Sequence, residues 1–209
     1  ELQNFISHHL RRQGYQQVFT PHIGRLGLYK TSGHYPYYRE SQFPPLVDRE
    51  FISAKAQEGC SCAQLANIME SGEIDGYLLK PMNCPSHMTL FKEMGKHSYR
   101  ELPLRFAEFC TLYRYEKRGE LTGLTRVRAL TQDDCHVFCT EDQIESEFTL
   151  ALNLVREVLS TYHFTDYKVR LSLRGEQGKY VQDDEKWTKA TNALKSALDL
   201  NKVDYFVAE

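Results

Sequence analysis

Apolar positions recur at helical spacing at the start of the chain, where Leu2, Phe5, Ile6 and Leu10 share a stripe with His9 up to Gly14. A period of 3.6 residues predicts an amphipathic helix, and Gly14 suits the position just past its end. YQQVFT predicts a strand closed by Pro21, and Leu26 to Lys30 a short helix. Residues 31–45 read as a polar and aromatic loop. Over 46–76 the pattern weakens to a helix from Cys62 to Met69 and a turn-like SGEIDG, which reads as a surface insertion. Tyr77 to Lys80 predicts a short strand, Pro85 to Met94 a helix and Leu104 to Tyr115 a longer strand. TRVRALTQDDCHVF, from Thr125 to Phe138, alternates with period two and predicts another strand. Thr140 and Gln143 form a capping box that opens a helix to about Tyr162, with Ile144, Phe148, Ala151, Leu152, Val155 and Leu159 as its buried stripe. A strand over Tyr167–Leu173, a helix over 184–199 and a strand over Asp204–Ala208 complete the series. Helices and hairpins alternate irregularly. That order predicts an α+β domain, an antiparallel sheet flanked by helices, in preference to a doubly wound fold.

Composition adds mainly exclusions. A chain of 209 residues can bury a substantial core. A net charge of −2 argues against nucleic-acid binding by bulk charge, while leaving room for a local basic surface. No apolar run reaches the ~20 residues a bilayer span needs, so no membrane partner is expected. A Gly-rich phosphate loop is absent from the sequence, which disfavours P-loop and Rossmann chemistry. The six cysteines are Cys60, Cys62, Cys84, Cys110, Cys135 and Cys139. They make no small secreted disulfide framework, and a cytoplasmic location with free thiols is expected. Cys60 and Cys62 are too close for a zinc knuckle, and Cys110 reads as a small core residue.

The strand from Thr125 carries the densest chemistry. Alternation puts Arg126, Arg128, Leu130, Gln132, Asp134 and His136 on one face. Arg114 and Glu116 stand just before a Gly-containing break, so a hairpin would bring them alongside. Guanidiniums suit phosphates, and a carboxylate beside an imidazole suits a cationic or metal-bound ligand. A solvated face of an antiparallel sheet would have a similar composition, so the pattern alone leaves both readings open.

Several segments together resemble the class II aminoacyl-tRNA synthetases, in the form found in threonyl-tRNA synthetases. LYRYEKRGELTGLTRVRALTQDDCHVF resembles motif 2 and LPLRFAEF the strand that leads into it. KPMNCPSHM, from Lys80 to Met88, resembles the zinc-cysteine segment. GYQQVFTPHI, with Pro21, resembles motif 1, and TSGHYPYYRESQFP the loop after it. The resemblance implies a catalytic (aminoacylation) domain over 1–209 that carries motifs 1 and 2 and stops before motif 3, with a possible insertion at 46–76. It implies activation of L-threonine by ATP to threonyl-adenylate, with Mg2+ accompanying ATP, then transfer to tRNA(Thr). A homodimer through motif 1 is also implied.

The same resemblance assigns roles. Arg114 would grip the α-phosphate and the amino-acid carboxylate, Glu116 would read the adenine amino group, and Arg126 would lie near the γ-phosphate. Leu130 would stand against adenine, where the family usually has a stacking aromatic. Ala129 replaces a usual glycine. Met82 would line the amino-acid pocket, Gln132 would orient the substrate and Asp134 would hold the threonine hydroxyl. Cys84 and His136 would be two protein ligands of one Zn2+ per active site, with a third ligand outside this chain. Such a zinc separates threonine from the similarly shaped valine, which lacks the hydroxyl. His87, His97 and His163 read as helix-face or loop histidines. A synthetase-like binding or regulatory protein that has lost catalysis is the alternative, and retention of the whole polar set argues against it.

Overall fold

The computed structural model describes residues 1–71, 74–175 and 182–208. The helices are α1 (Leu2–Arg12), α2 (Leu26–Thr31), α3 (Arg49–Gln57), α4 (Cys62–Ser71), α5 (Cys84–Glu93), α6 (Ile144–Thr161) and α7 (Asp184–Leu200). The strands are β1 (Gln16–Gln17), β2 (Ile23–Arg25), β3 (Tyr77–Leu79), β4 (Leu104–Tyr113), β5 (Ala129–Phe138), β6 (Val169–Ser172) and β7 (Tyr205–Ala208). They form a sheet of order β1-β4-β5 and the pairs β2-β3 and β6-β7. The fold is α+β, as the pattern predicts, and its pairing is mixed. β2 and β3 are antiparallel, but β1 runs parallel to β4 and β6 parallel to β7.

The chain divides into two compact units. The first comprises Glu1–Tyr15, Ser98–Arg105 and Val137–Glu209. Within it α6 packs on α7, and Leu10, Leu154, Leu171, Ala197 and Leu198 are buried. The capping box at Thr140 and Gln143 is present, ahead of a short 3-10 turn that leads into α6. The α6 stripe is rotated from the expected one: Leu154 is buried and Val155 is exposed. Arg105 grips Glu147 with two hydrogen bonds of 2.6 Å, the bidentate geometry that suits guanidinium and carboxylate.

The second unit comprises Gln16–His97 and Phe106–His136. Leu26, Tyr29, Tyr35, Ile74 and Leu78 make its core cluster, with Val47, Phe51 and Ile68 packed against it. The 46–76 segment therefore contributes core side chains, and it holds α3, which its weak periodicity conceals. Leu46 and Tyr77 exchange backbone hydrogen bonds of 2.7 and 2.8 Å. A side chain at Gly76 would lie 2.4 Å from the Leu46 carbonyl oxygen, so only glycine allows that approach. The turn expected over SGEIDG falls partly on residues 72 and 73, outside the described residues.

β4 and β5 place the polar face. Arg114 N donates to Arg128 O (2.9 Å), and Cys110 Sγ lies 3.8 Å from Gln132 O. The partner moves forward along β5 as the chain moves back along β4, so this pair is an antiparallel hairpin. It brings Arg114 and Glu116 beside Arg126 and Arg128. β4 ends at Tyr113 and β5 begins only at Ala129, later than the alternation predicts. The intervening residues form a turn closed by a Thr122–Arg126 bridge, with Arg128 in a bend after it.

Candidate active site

The register of this hairpin puts Arg114, Leu112, Cys110 and Glu108 on the same face as Arg128, Leu130, Gln132 and Asp134. At one end, Arg114 is half-buried, and its guanidinium makes no hydrogen bond or ion pair with any described residue. Such a cation is open to an anionic ligand. Arg126 is already engaged, with its Nε 2.9 Å from Glu116 Oε2 and its second guanidinium nitrogen 3.7 Å from Glu120. Arg128 donates to the Glu116 carbonyl (3.0 Å) and lies over the Tyr115 ring at 5.6 Å. Tyr115 in turn meets Phe43 edge-on. Leu130 is half-buried, while Gln132 and Met82 are exposed.

The other end is built on a closed network that composition and periodicity do not reveal. Lys80 follows β3, Asn83 caps α5, His87 lies one turn into α5, and Glu108 sits in the middle of β4. Exposure is 0% for Lys80 and His87, 1% for Asn83 and 4% for Glu108. Lys80 Nζ donates to Thr20 Oγ1 (2.9 Å) and Asn83 Oδ1 (3.1 Å), and it lies 3.5 Å from Glu108 Oε1. Glu108 accepts from the Thr20 backbone N–H (2.8 Å), the Thr20 hydroxyl (2.9 Å) and Asn83 Nδ2 (3.1 Å). His87 Nε2 is 3.1 Å from Glu108 Oε2, and His87 Nδ1 is 2.8 Å from His136 Nδ1. Burial alone would raise the Glu108 pKa, but the hydrogen bonds from His87, Thr20 and Asn83 outweigh it and bring the group down to about 2. His87 is therefore a buried link in the network and not a helix-face histidine. The available signal was a lone carboxylate inside the apolar run LRFAEFCTL.

Cys84 opens α5, so His87 is its i+3 neighbour and the two occupy adjacent positions on that helix. Burial raises the Cys84 thiol pKa, and the charge of Asp134 raises it further. Burial lowers the His136 pKa against the opposing pull of Asp134, with His87 lowering it further. Asp134 thus acts electrostatically on both expected ligands. Its carboxylate makes no hydrogen bond with any described residue. A thiol that yields its proton to a metal, together with an imidazole kept neutral by burial, is a donor set zinc accepts. Among the described residues, no three His, Cys, Asp or Glu side chains are grouped to hold a metal ion. Cys84 and His136 thus suit zinc as donors but need another to complete a site. Cys110 and Cys135, pushed by burial up to about 11 and about 12, are inert thiols beside them.

Residues 68–204 match the family model for the tRNA synthetase class II core domain of the glycyl, histidyl, prolyl, seryl and threonyl types. The chain belongs to this family. Among curated relatives, this synthetase core is 53% identical over 205 residues to a threonine–tRNA ligase of Rubrobacter xylanophilus, covering 98% of this chain and 28% of that protein. It is 48% identical over 210 residues to a threonine–tRNA ligase of Thermus thermophilus, covering 100% of this chain and 29% of the relative. The chain therefore spans a little under three tenths of the length of these relatives. Among solved structures, it superposes with a TM-score of 0.78 on one described as the RNA binding domain of threonyl-tRNA synthetase from Cryptosporidium parvum Iowa II. That match is 36% identical and covers 99% of this chain and 44% of the other. The likeness to the threonyl form that the motifs suggested thus extends along the whole synthetase core.

Proposed function

We propose that this chain carries the amino-acid and ATP face of a threonine–tRNA ligase, which forms threonyl-adenylate and transfers threonine to tRNA(Thr). The observation that carries the reading is a pair of charges on one sheet face that make no hydrogen bond with any described residue: the Arg114 guanidinium at one end and the Asp134 carboxylate at the other. The register separates the strand positions of Asp134 and Arg128, Arg114's neighbour, by about 20 Å at ~3.4 Å per residue. An extended nucleotide joined to a small amino acid is of that scale.

Arg114 pairs with the α-phosphate and the threonine carboxylate, and neutralises charge as the carboxylate oxygen attacks phosphorus and the bond to pyrophosphate breaks. The protein's part is positioning and electrostatics, with Mg2+ accompanying ATP. Glu116 accepts from the adenine amino group, Leu130 gives the base an apolar contact, and Arg126 turns from Glu116 to the γ-phosphate. Asp134 accepts the threonine hydroxyl, while Gln132 and Met82 border the amino acid. Cys84 and His136 would hold Zn2+, which, when bound, supplies an open coordination position for the amino group and hydroxyl together. A homodimer through the motif 1 segment and a cytoplasmic location belong to the same reading.

The test is ATP–pyrophosphate exchange by the full-length protein with threonine, serine and valine. Exchange with threonine and serine, and hardly any with valine, is expected. Equal activation of valine and threonine would overturn hydroxyl-based selection. Light scattering that gave a stable monomer at micromolar concentration would remove the dimer from the proposal.

A further inference from the structure

His136 is the imidazole this reading assigns to the metal, and a ring nitrogen can ligate only if it carries no proton. We propose that Glu108 and His87 set its tautomer: Glu108 accepts a hydrogen bond from His87 Nε2–H, His87 Nδ1 accepts one from His136 Nδ1–H, and His136 Nε2 is left as a bare lone pair. The inference rests on the proposed ligand role of His136 for its purpose, but not for its geometry.

The direction of each hydrogen bond follows from what each group can do. An ionised carboxylate only accepts, so the nitrogen 3.1 Å from Glu108 Oε2 must be a donor, and His87 Nε2 bears the hydrogen. Asn83 Oδ1 faces the Lys80 ammonium at 3.1 Å, which fixes Nδ2 as the donor to Glu108. Its second hydrogen does not reverse the assignment, because a bare His87 Nε2 would aim its lone pair at the carboxylate 3.1 Å away. Asn83 Nδ2 and His87 Nε2, 3.0 Å apart, are then two N–H groups that share one oxygen as acceptor. Lys80 already supplies the positive charge that matches Glu108. On this proposal a ring that is 0% exposed, and whose carboxylate partner already faces Lys80, carries only the one hydrogen that Nε2 donates. A neutral ring protonated at Nε2 leaves Nδ1 as an acceptor. His136 Nδ1, 2.8 Å away, must therefore donate. The two rings meet nearly perpendicular at 84°, with centroids 4.8 Å apart, and Phe106 holds His87 edge-on from another side.

Glu108 and His87 are positioning residues, since they act through His136. Their effect is to present the lone pair before any ligand arrives. Metal-bound histidines often hand their second nitrogen to a carboxylate or carbonyl. Here an imidazole stands between the ligand and the carboxylate and carries the same instruction one residue further.

The experiment has two arms on the full-length protein, where the third ligand expected outside this chain is present. In the first, two-bond 1H–15N spectra of the 15N-histidine-labelled, metal-free protein report which ring nitrogen carries each proton. The expected result is Nδ1–H with bare Nε2 for His136, and Nε2–H with bare Nδ1 for His87. A proton on His136 Nε2, or a doubly protonated His87, overturns the proposal. In the second, Zn2+ alone is titrated against a chromophoric chelator. His87→Phe, which keeps a ring beside Phe106, should weaken zinc binding by about 10–100-fold. His87→Asn, whose amide oxygen can replace the Nδ1 acceptor, should restore most of it. Wild-type binding with an undiminished His87→Phe variant also overturns the proposal. If the wild type takes no zinc while the spectra give the expected tautomers, the metal reading falls and the relay stands. Where a variant fails to fold, the wild-type spectra alone decide.

Discussion

Two charge clusters in one compact unit follow opposite designs. Around Glu108, Lys80, Asn83 and His87 are buried and Thr20 is half-buried, and their hydrogen bonds hold the carboxylate in place. Around Arg126, the pair with Glu116 is open, with Arg126 at 51% and Glu116 at 16% side-chain exposure, and Glu120 alongside at 41%. A buried ion pair is costly to break because the survivor is left unpaired in a low dielectric. An exposed one contributes ~0–1 kcal/mol and reforms with another partner at little cost. The first arrangement suits holding a geometry. The second suits exchange, as the proposed function requires of Arg126, which would leave a carboxylate to meet a phosphate. Acid and base residues of the same types thus serve as scaffold in one place and as exchangeable contacts in the other, and burial decides which.

The comparison breaks most readily at Glu108. Glu108→Ala removes the acceptor shared by Thr20, Asn83 and His87 and leaves Lys80 without its counter-charge. Urea unfolding should show a loss of about 3–5 kcal/mol. A loss below about 1 kcal/mol would mean that the network is as exchangeable as the surface pair. Acid titration sharpens the point. The folded carboxylate titrates near 2 against an ordinary 4.5, so the fold favours its ionised form. That stability is fully present above the ordinary carboxylate range and is lost as pH falls towards about 2. It amounts to about 3 kcal/mol at ~1.4 kcal/mol per pH unit. Glu108→Gln should lack this acid-limb slope. An identical slope in the variant would place the titration elsewhere.

Arg114→Ala comes next. It should leave the urea midpoint nearly unchanged, because the guanidinium has no described partner to lose. Pyrophosphate exchange should fall about 10²–10³-fold, the cost of removing one donor to developing charge. A large stability loss with activity retained would recast Arg114 as structural. Asp134→Ala should lower kcat/KM for threonine about 10–100-fold, the ~1.5–3 kcal/mol of a hydrogen bond to a charged group, and change valine little. An equal fall for both amino acids would remove Asp134 from hydroxyl recognition.

Much of this was legible in the sequence where local signals suffice. The α1 stripe, the capping box at Thr140 and the period-two run to Phe138 gave elements close to those observed. Arg114 and Glu116 were placed beside Arg126 and Arg128 by a hairpin, as found. What escaped needed long-range contact. Lys80 follows β3, His87 lies on α5 and Glu108 on β4, and no periodicity shows that they share one hydrogen-bonded cluster. The parallel β1–β4 pairing joins segments far apart in sequence, and no turn signal marks it. α3 escaped because its apolar residues are few and face a core supplied by α2 and β3. Alternation extends the predicted strand over Arg126 and Arg128, because it continues through a turn whose Thr122–Arg126 bridge the sequence does not announce.

The smallest effect is expected at Glu120, and it tests the open end of the comparison. Glu120 touches Arg126 only at 3.7 Å, and its carboxyl pKa is lowered chiefly by the Lys117 backbone N–H. If the Arg126 cluster is exchangeable, Glu120→Gln should leave the urea midpoint essentially unchanged, as a surface charge in water does. Glu116 would still hold Arg126 at 2.9 Å, so the arginine stays in place with one fewer carboxylate to leave. Affinity for ATP, measured by calorimetry, should therefore be unchanged or rise slightly, and the change should shrink further at high salt. A fall in ATP affinity of tenfold or more would mean that Glu120 positions Arg126 for the nucleotide. In that case the open end would be as preorganised as the buried one, and exposure would be the wrong criterion for separating them.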